Sequence, residues 1–386
     1  MIPLVSLFFA LFMLLACKPQ KAQESSENSI TLKGSAAGKW LATVAIGGGV
    51  SAKDTLYLAN VLKQTFGSVE GGNYQRGFHI DDKSGIKPTK SFVIEQFARL
   101  KSSIRSYKEK NPGAPTMLVL GLTGHGFGRA ALSEYSNDEY IFVVNNEAEN
   151  YTNPNDVFTG RELVQQIANL EVDEALVFVQ SCLSGDFAKV SFLNQYGRHL
   201  SQEANRLNVN IAVITPVHEL LFSPVNGIEP MIAASFKELH SGRGDFVTYA
   251  MFKDALMRRV CESDKFMPRS AFLDASAVGP SAMAGRADLA SGIEPQFFES
   301  ISPNLPLLLT REGVRKFNDR TLVLPPQSAK SRSVPLSKAT LEVCERSKQK
   351  NKIKFSALEN ERVRYKNIYL KCQSEKDPET CLEKSF

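Results

Sequence analysis

Four apolar segments, each of strand length and nearly continuous in hydrophobic residues, constrain this fold most. They are residues 40–46, 116–123, 174–181 and 209–215. Strands that are covered on both faces read as continuous apolar runs, whereas half-exposed strands alternate apolar and polar residues. Helical patterns separate the segments, at 53–66, after Pro88 and after Thr159, where Glu162 completes a capping box. The alternation predicts an α/β fold with a mostly parallel central sheet between helices.

Weaker patterns extend this domain. Short strands are predicted near 78–80 and 140–144, and an amphipathic helix is predicted from Asp245 to about Arg259. We therefore expect one α/β domain over 38–262.

The chain changes character after this domain. Residues 263–335 are rich in Pro, Ser and Gly and predict an irregular linker, and 336–386 predict a basic helical hairpin extension. From 327 to the end there are 14 Lys or Arg and eight Asp or Glu, while the whole chain has a net charge of +5. The basic charge therefore belongs to the tail. It would suit anionic lipid, peptidoglycan or nucleic acid, but we favour a solvated hairpin packed on the domain and expect no nucleic-acid partner.

The N-terminus has the pattern of an export signal. Residues 2–16 are apolar and uncharged, too short for a typical spanning helix, and they lead into Leu14-Leu15-Ala16-Cys17. This resembles the bacterial lipobox, which implies a signal peptide over 1–16, a lipidated Cys17 and a flexible tether over 17–37. The expected location is the cell envelope, on the outer membrane or in the periplasm of a Gram-negative bacterium. The alternative is a plain N-terminal membrane anchor.

Two of the four predicted strands run into a reactive residue. His125 follows the second between two glycines, and Cys182 follows the third among small residues. In an open parallel sheet, sites form at the carboxyl ends of the strands. Covalent acyl transfer uses such a pair: the thiolate attacks a carbonyl carbon, and the imidazole carries the proton. Each residue alone would be an ordinary buried cysteine or loop histidine, so the pair carries the hypothesis.

The two segments resemble the signature of the caspase-like cysteine peptidases, the group that contains caspases, legumains and gingipains. That signature is an apolar strand into His-Gly, then an apolar strand into Gln/Glu-Ala-Cys-x-x-Gly. Here they read Leu118-Val-Leu-Gly-Leu-Thr-Gly-His-Gly126 and Leu176-Val-Phe-Val-Gln-Ser-Cys-Leu-Ser-Gly185. The resemblance covers about 38–262. It implies a caspase-like three-layer sandwich with a mostly parallel central sheet, to which the helical C-terminal extension is added.

Carried over to this chain, the resemblance implies a cysteine-type endopeptidase that forms a thioester acyl-enzyme. Cys182 would be the nucleophile and His125 the general acid and base, and the backbone N–H groups of Gly126 and Cys182 would form the oxyanion hole. Two positions depart from the family pattern: Ser181 stands where Ala is commonest, and Gly124 stands where legumains carry Asp. Ser181 is small enough to keep the turn, and Gly124 indicates the broader bacterial group rather than a true legumain.

The resemblance also bears on substrate and cofactor. Glu219 lies in the loop that often shapes the family's substrate pocket, where a carboxylate would favour a basic side chain; a solvated loop carboxylate is the alternative. The expected partners are a peptide or protein substrate and the membrane that holds the lipid anchor. No cofactor is expected, and the histidines and cysteines have no metal-site spacing.

Two other functions remain open from the sequence. One is a non-catalytic surface or periplasmic scaffold with a caspase-like fold, which the presence of both His125 and Cys182 disfavours. The other is a thiol amidotransferase or another acyl hydrolase, although the Gly-x-Cys-x-Gly pattern that glutaminases prefer is absent around Cys182.

The remaining cysteines suggest a stapled tail. Cys344, Cys372 and Cys381 lie in or beside the two predicted C-terminal helices. In an oxidising compartment we expect a disulfide among them, with Cys344 joined to Cys372 or Cys381. Cys261 has no assigned partner.

Overall fold

A computed structural model describes most of the predicted domain. The described residues are 38–47, 51–67, 74–85, 88–127, 141–144, 154–181, 184, 210–217, 227–266, 293–319, 321–322 and 333–350. Their strands are β1 (Lys39–Ala45), β2 (Gln75–Asp81), β3 (Met117–Thr123), β4 (Gly126–Phe127), β5 (Ile141–Val143), β6 (Val157–Thr159), β7 (Glu174–Gln180), β8 (Asn210–Thr215), β9 (Phe246–Thr248), β10 (Gln296–Ser300) and β11 (Pro306–Leu309). Their helices are α1 (Ala52–Thr55), α2 (Tyr57–Phe66), α3 (Lys90–Lys110), α4 (Gly160–Asn169), α5 (Glu229–His240), α6 (Tyr249–Glu262), α7 (Arg311–Asn318) and α8 (338–350).

A six-stranded sheet in the order β10-β8-β7-β3-β1-β2 forms the centre of the fold. Five strands are parallel, and β10 pairs with β8 in the antiparallel direction. Two small antiparallel sheets accompany it, β4-β5-β6 and β9-β11. The predicted α/β class with a mostly parallel central sheet is confirmed.

Alternate residues of the buried strands face opposite sides of this sheet. In β3, Leu118 and Leu120 pack on one side with α3 and α4, whose core residues include Phe97. Val119 packs on the other side with α2, α5 and α6, whose core residues include Phe252. Both faces of β3 are therefore dry, which explains why its sequence is apolar throughout. The helices and the sheet form three layers.

Local signals set several helix boundaries as the sequence predicts. Thr159 and Glu162 form the expected capping box at the start of α4, and the Thr89 hydroxyl accepts from the Phe92 N–H at the start of α3. One boundary is wrong. The helix expected from Asp245 begins at Tyr249, because residues 246–248 are drawn into β9 by antiparallel pairing with β11.

The range 263–335, expected to be an irregular linker, contributes ordered elements to the domain. Strand β10 closes one edge of the central sheet, with Phe298 opposite Val213, and β11 and α7 follow it. The prediction of an irregular linker is wrong for these residues. The sequence of β10, QFFES, has neither a long apolar run nor regular alternation, so its pattern does not predict a strand.

The expected pairing of Cys344 with Cys372 or Cys381 is also wrong. Cys344 forms a disulfide with Cys261, joining α8 to α6, while Cys372 and Cys381 lie outside the described residues. Thus the first helix of the expected tail is part of the α/β domain.

The start of α8 shows how the two cysteines meet. The Asp254 carboxylate accepts from the Ser337 N–H at 2.7 Å and from the Thr340 hydroxyl at 2.9 Å. Seven residues separate Asp254 from Cys261 and Ser337 from Cys344, which is two helical turns in each case. The cap and the disulfide therefore connect the same faces of two helices that run in the same direction. Of the helices described, none has the length and apolarity needed to cross a bilayer.

Candidate functional site

The strand order identifies one edge of the sheet as the place to look for a site. The connection from β1 to β2 runs through α2 on one face, and the connection from β2 to β3 runs through α3 on the other. The chain therefore changes direction between β1 and β3, and in open α/β sheets ligands bind in the crevice at the carboxyl ends of such strands. His125 lies two residues after β3, at this crevice.

Backbone hydrogen bonds hold the His125 turn against its neighbours. The Gly124 N–H donates to the Gln180 carbonyl at the end of β7 over 3.1 Å, and the His125 carbonyl accepts from the Val143 N–H over 3.0 Å. Gly126 begins β4 and is paired with Phe142 of β5. The histidine is thus fixed between the central sheet and the small sheet, and its side chain is partly buried.

A side chain at position 124 would crowd its neighbours. A Cβ at this position would lie 3.0 Å from two ring carbons of Phe142 and 3.1 Å from the Ile46 carbonyl oxygen. These contacts are tighter than nine in ten real Cβ contacts, so a neighbour would have to move by a few tenths of an ångström to admit a side chain. The glycine therefore lets the ring of Phe142 and the end of β1 close on the His125 turn, which narrows the crevice.

Burial controls the charge of His125. It lowers the pKa of the imidazole below its ordinary value, and the carboxylate of Asp82 partly opposes this. A lowered pKa favours the neutral ring at neutral pH, and a neutral ring can accept a proton from a nucleophile.

The end of β7 lies directly beside the His125 turn. Gln180, its last residue, is the register partner of Thr123, the last residue of β3. Ser181 and Ser184 are both buried. The described residues nearest to position 182 on either side are thus buried.

The other predicted site residues lie outside the described residues. They are Cys182, Glu219 and Cys17. Of the expected site, the structure therefore describes His125 and Gly126, which are consecutive, and it does not describe the contact between His125 and Cys182.

A second histidine has the connectivity of a triad but not its accessibility. His79 Nδ1 lies 2.6 Å from the Thr43 hydroxyl oxygen, and His79 Nε2 lies 3.1 Å from Asp81 Oδ2. Thr43 is only 5% exposed, so a substrate cannot reach its hydroxyl. These contacts link β1 to β2.

In the part of the chain that the structure describes, no three His, Cys, Asp or Glu side chains gather as metal ligands.

Two acidic residues at the carboxyl edge were missed from the sequence. Asp82 follows β2, and the two consecutive carboxylates after the predicted strand 78–80, of which Asp82 is the second, are the signal that could have found it. Glu229 is the first residue of α5 and is 2% exposed. Burial raises the pKa of Glu229 to about 7, although nearby backbone N–H groups, including that of Gly227, oppose this. No sequence pattern marks that residue.

Comparison of the chain with known proteins adds no family. No protein-family model matches the sequence, and no curated protein matches it.

Proposed function

We propose that this protein is a cysteine endopeptidase of the caspase-like group, with Cys182 as nucleophile and His125 as general acid and base. One observation carries the proposal: Thr123 and Gln180 are register partners at the ends of adjacent parallel strands. His125 comes two residues after Thr123, and Cys182 comes two residues after Gln180. Neighbouring strands are about 4.8 Å apart, so we expect the side chains that follow these two strands to meet at one edge of the sheet.

The reaction begins with a proton transfer to His125. The neutral imidazole of His125 takes the proton from the Cys182 thiol, and the sulfur attacks the carbonyl carbon of the scissile peptide bond. A C–S bond forms, and the carbonyl π electrons move to the oxygen. The oxyanion collapses, the C–N bond breaks, and the departing amine takes the proton from His125. His125 then takes a proton from a water molecule, whose oxygen forms a bond to the thioester carbon. The C–S bond breaks, the carboxylic acid product leaves, and the Cys182 sulfur takes the proton back from His125.

The oxyanion requires hydrogen-bond donors that are in place before the reaction. We assign this role to the backbone N–H groups of Gly126 and Cys182. Loss of one such donor typically reduces kcat by about 10²–10³-fold. The pairing of Gly126 with Phe142 supports the assignment, because it holds this part of the backbone fixed beside the His125 turn.

The disulfide supports an exported location. Disulfides persist in oxidising compartments and are rare in the reducing cytosol, and Cys261 and Cys344 form one. We therefore retain the proposal of a lipoprotein that is anchored through Cys17 in the cell envelope. A basic side chain before the scissile bond, bound by Glu219, is the substrate preference that we propose.

Turnover of a fluorogenic peptide panel that varies only the residue before the scissile bond tests the function. The parent protein should cleave peptides with Lys or Arg at this position, and Cys182→Ala should cleave none. His125→Ala should lose about 10²–10⁴-fold, since that is the worth of a positioned base. His240→Gln is the matched control: this histidine bonds the Leu309 carbonyl near the end of α5, and its replacement should preserve turnover.

Three results would contradict the proposal. If Cys182→Ala turns over peptide at the parental rate, that residue is not the nucleophile. If the folded parent cleaves no peptide in the panel, the scaffold interpretation is favoured. If it hydrolyses glutamine or small esters and leaves peptides intact, the third alternative is favoured.

A further inference from the structure

Asp82 extends from the sheet edge toward the His125 turn. Its backbone N–H donates to the Ala45 carbonyl over 3.3 Å, which continues the pairing of β2 with β1 by one residue. Its carboxylate Oδ2 then accepts from the Gly47 N–H over 3.1 Å. The carboxylate thus crosses the carboxyl end of β1, and β1 is the strand that separates β2 from β3.

The end of β1 is tied equally closely to the His125 turn. The Ile46 N–H donates to the Thr123 carbonyl over 2.8 Å, and the Ile46 carbonyl packs against Gly124. The end of β1, from Ala45 to Gly47, therefore lies between Asp82 on one side and the turn that carries His125 on the other.

Gly47 makes this approach possible. A Cβ on Gly47 would overlap the Thr55 hydroxyl oxygen, at 1.9 Å, so any side chain here would displace either α1 or the turn. With glycine, the chain after β1 stays close to α1 and offers its N–H to Asp82. The Asp82 carboxylate is consequently held in place, with only 14% of its side chain exposed.

We propose that Asp82 is a positioning residue for His125: its carboxylate holds and stabilises the imidazolium that forms when His125 takes the nucleophile's proton. This inference rests on the proposed function. Asp82 accepts no proton and touches no substrate. It acts through the ring, as the third group of a nucleophile–base pair commonly does.

The charges around the site support the direction of the effect. Burial lowers the pKa of His125, and Asp82 is the charged group that raises it. Among the described residues, Asp82 is itself paired with Lys83, whose Nζ lies 3.6 Å from Asp82 Oδ1. The neighbouring carboxylate of Asp81 is paired instead with His79. Removing the charge of Asp82 leaves burial to act alone, so the imidazolium becomes harder to form.

The test is the NMR titration of the histidine ring protons in the full-length protein, with the His125 signal assigned by its loss in His125→Gln. In Asp82→Asn the pKa of His125 should fall by about one pH unit, the low end of the effect of one nearby opposite charge. The asparagine oxygen still accepts from the Gly47 N–H, so the turn should be kept. Asp81→Asn is the matched control, and it should lower the pKa of His79 and leave that of His125 unchanged.

A second variant should change the pKa of His125 in the opposite direction. Lys83→Gln removes the cation paired with Asp82 and should raise the pKa of His125, which keeps the test decisive if Asp82→Asn does not fold. In peptide turnover, the acid limb of the kcat/KM profile, where His125 becomes protonated, should shift to lower pH in Asp82→Asn and stay in place in Asp81→Asn. A merely structural Asp82 would reduce the rate at every pH without moving that limb.

The outcomes separate this inference from the proposed function. An unchanged pKa of His125 in both Asp82→Asn and Lys83→Gln overturns the role of Asp82, whether or not the protein cleaves peptides. A shifted pKa in a protein that cleaves no peptide upholds the coupling of Asp82 to His125 and removes the peptidase assignment.

Discussion

Replacement of Glu229 by glutamine should remove one step in the pH dependence of stability. The folded protein holds the pKa of this carboxyl at about 7, above its ordinary value of 4.5, chiefly because burial disfavours the charged form. Between these two values the folded state binds the proton more tightly than the unfolded state does. The contribution of Glu229 to stability is therefore complete below about pH 4.5 and is lost as the pH rises through 7.

The difference between the two pKa values sets the size of this loss. Each pKa unit corresponds to about 1.4 kcal/mol, so the full shift corresponds to roughly 3 kcal/mol, which is an upper bound. Glu229→Gln keeps the shape of the side chain and never ionises. The variant should match the parent near pH 4.5 and exceed its free energy of unfolding by up to ~3 kcal/mol at pH 8.

Urea unfolding followed by tryptophan fluorescence gives this difference directly. The chain has a single tryptophan, Trp40, which is 2% exposed in the core and reports on global unfolding. Subtracting the curve of the parent from that of the variant cancels every other titrating group. Glu312→Gln, at a surface carboxylate on α7, is the control and should give no such rise above pH 4.5. A Glu229→Gln difference that stays flat from pH 4.5 to pH 8 would refute the burial argument.

Three further predictions concern the disulfide, the anchor and the crevice. Cys261 and Cys344 are 83 residues apart, so closing that loop should contribute about 4.5 kcal/mol; the double alanine variant should lose most of it in urea unfolding, and equal stability would contradict this. Cys17→Ala should lose palmitate-analogue labelling and leave the membrane fraction, and unchanged labelling would exclude the lipoprotein assignment. Gly124→Ala should lose about 1–3 kcal/mol by overpacking against Phe142 and should slow peptide turnover, and a variant with parental stability and rate would contradict the contact geometry.

The central sheet could be predicted because it is buried on both faces. Leu118 packs into the helical layer on one face of the sheet, and Val119 packs into the layer on the other face. Both positions therefore need apolar side chains, and β3 reads as one continuous apolar segment. The same holds for β7. The capping box of Thr159 and Glu162 was equally visible, because its partners lie three residues apart.

Elements that depend on distant partners could not be predicted from local pattern. Strand β10 exists because β8 offers it a free edge, and its buried Glu299 is balanced by Lys253 of α6 at 2.9 Å. A buried charge would argue against a strand when read locally. The Cys261–Cys344 pair likewise depends on how α8 lies against α6, which spacing along the chain does not encode.

The candidate site was predicted in part for the same reason. His125 was recognised because it ends an apolar strand within a motif, and the structure describes it at the carboxyl edge of the sheet. Asp82 was missed because it comes near His125 only through the strand order β2-β1-β3. In this order β1 lies between β2, which Asp82 follows, and β3, which His125 follows. Strand order is a property of the folded chain, not of any one segment.

The most direct test of the peptidase is the site at which a substrate-like electrophile reacts. The intact protein would be treated with a peptidyl acyloxymethyl ketone that carries a basic residue next to the reactive carbon, and then digested and mapped by mass spectrometry. The account predicts one adduct per chain, on Cys182, formed much more slowly in His125→Ala and absent after denaturation before treatment. An adduct on another residue, or none on a folded protein, would contradict it.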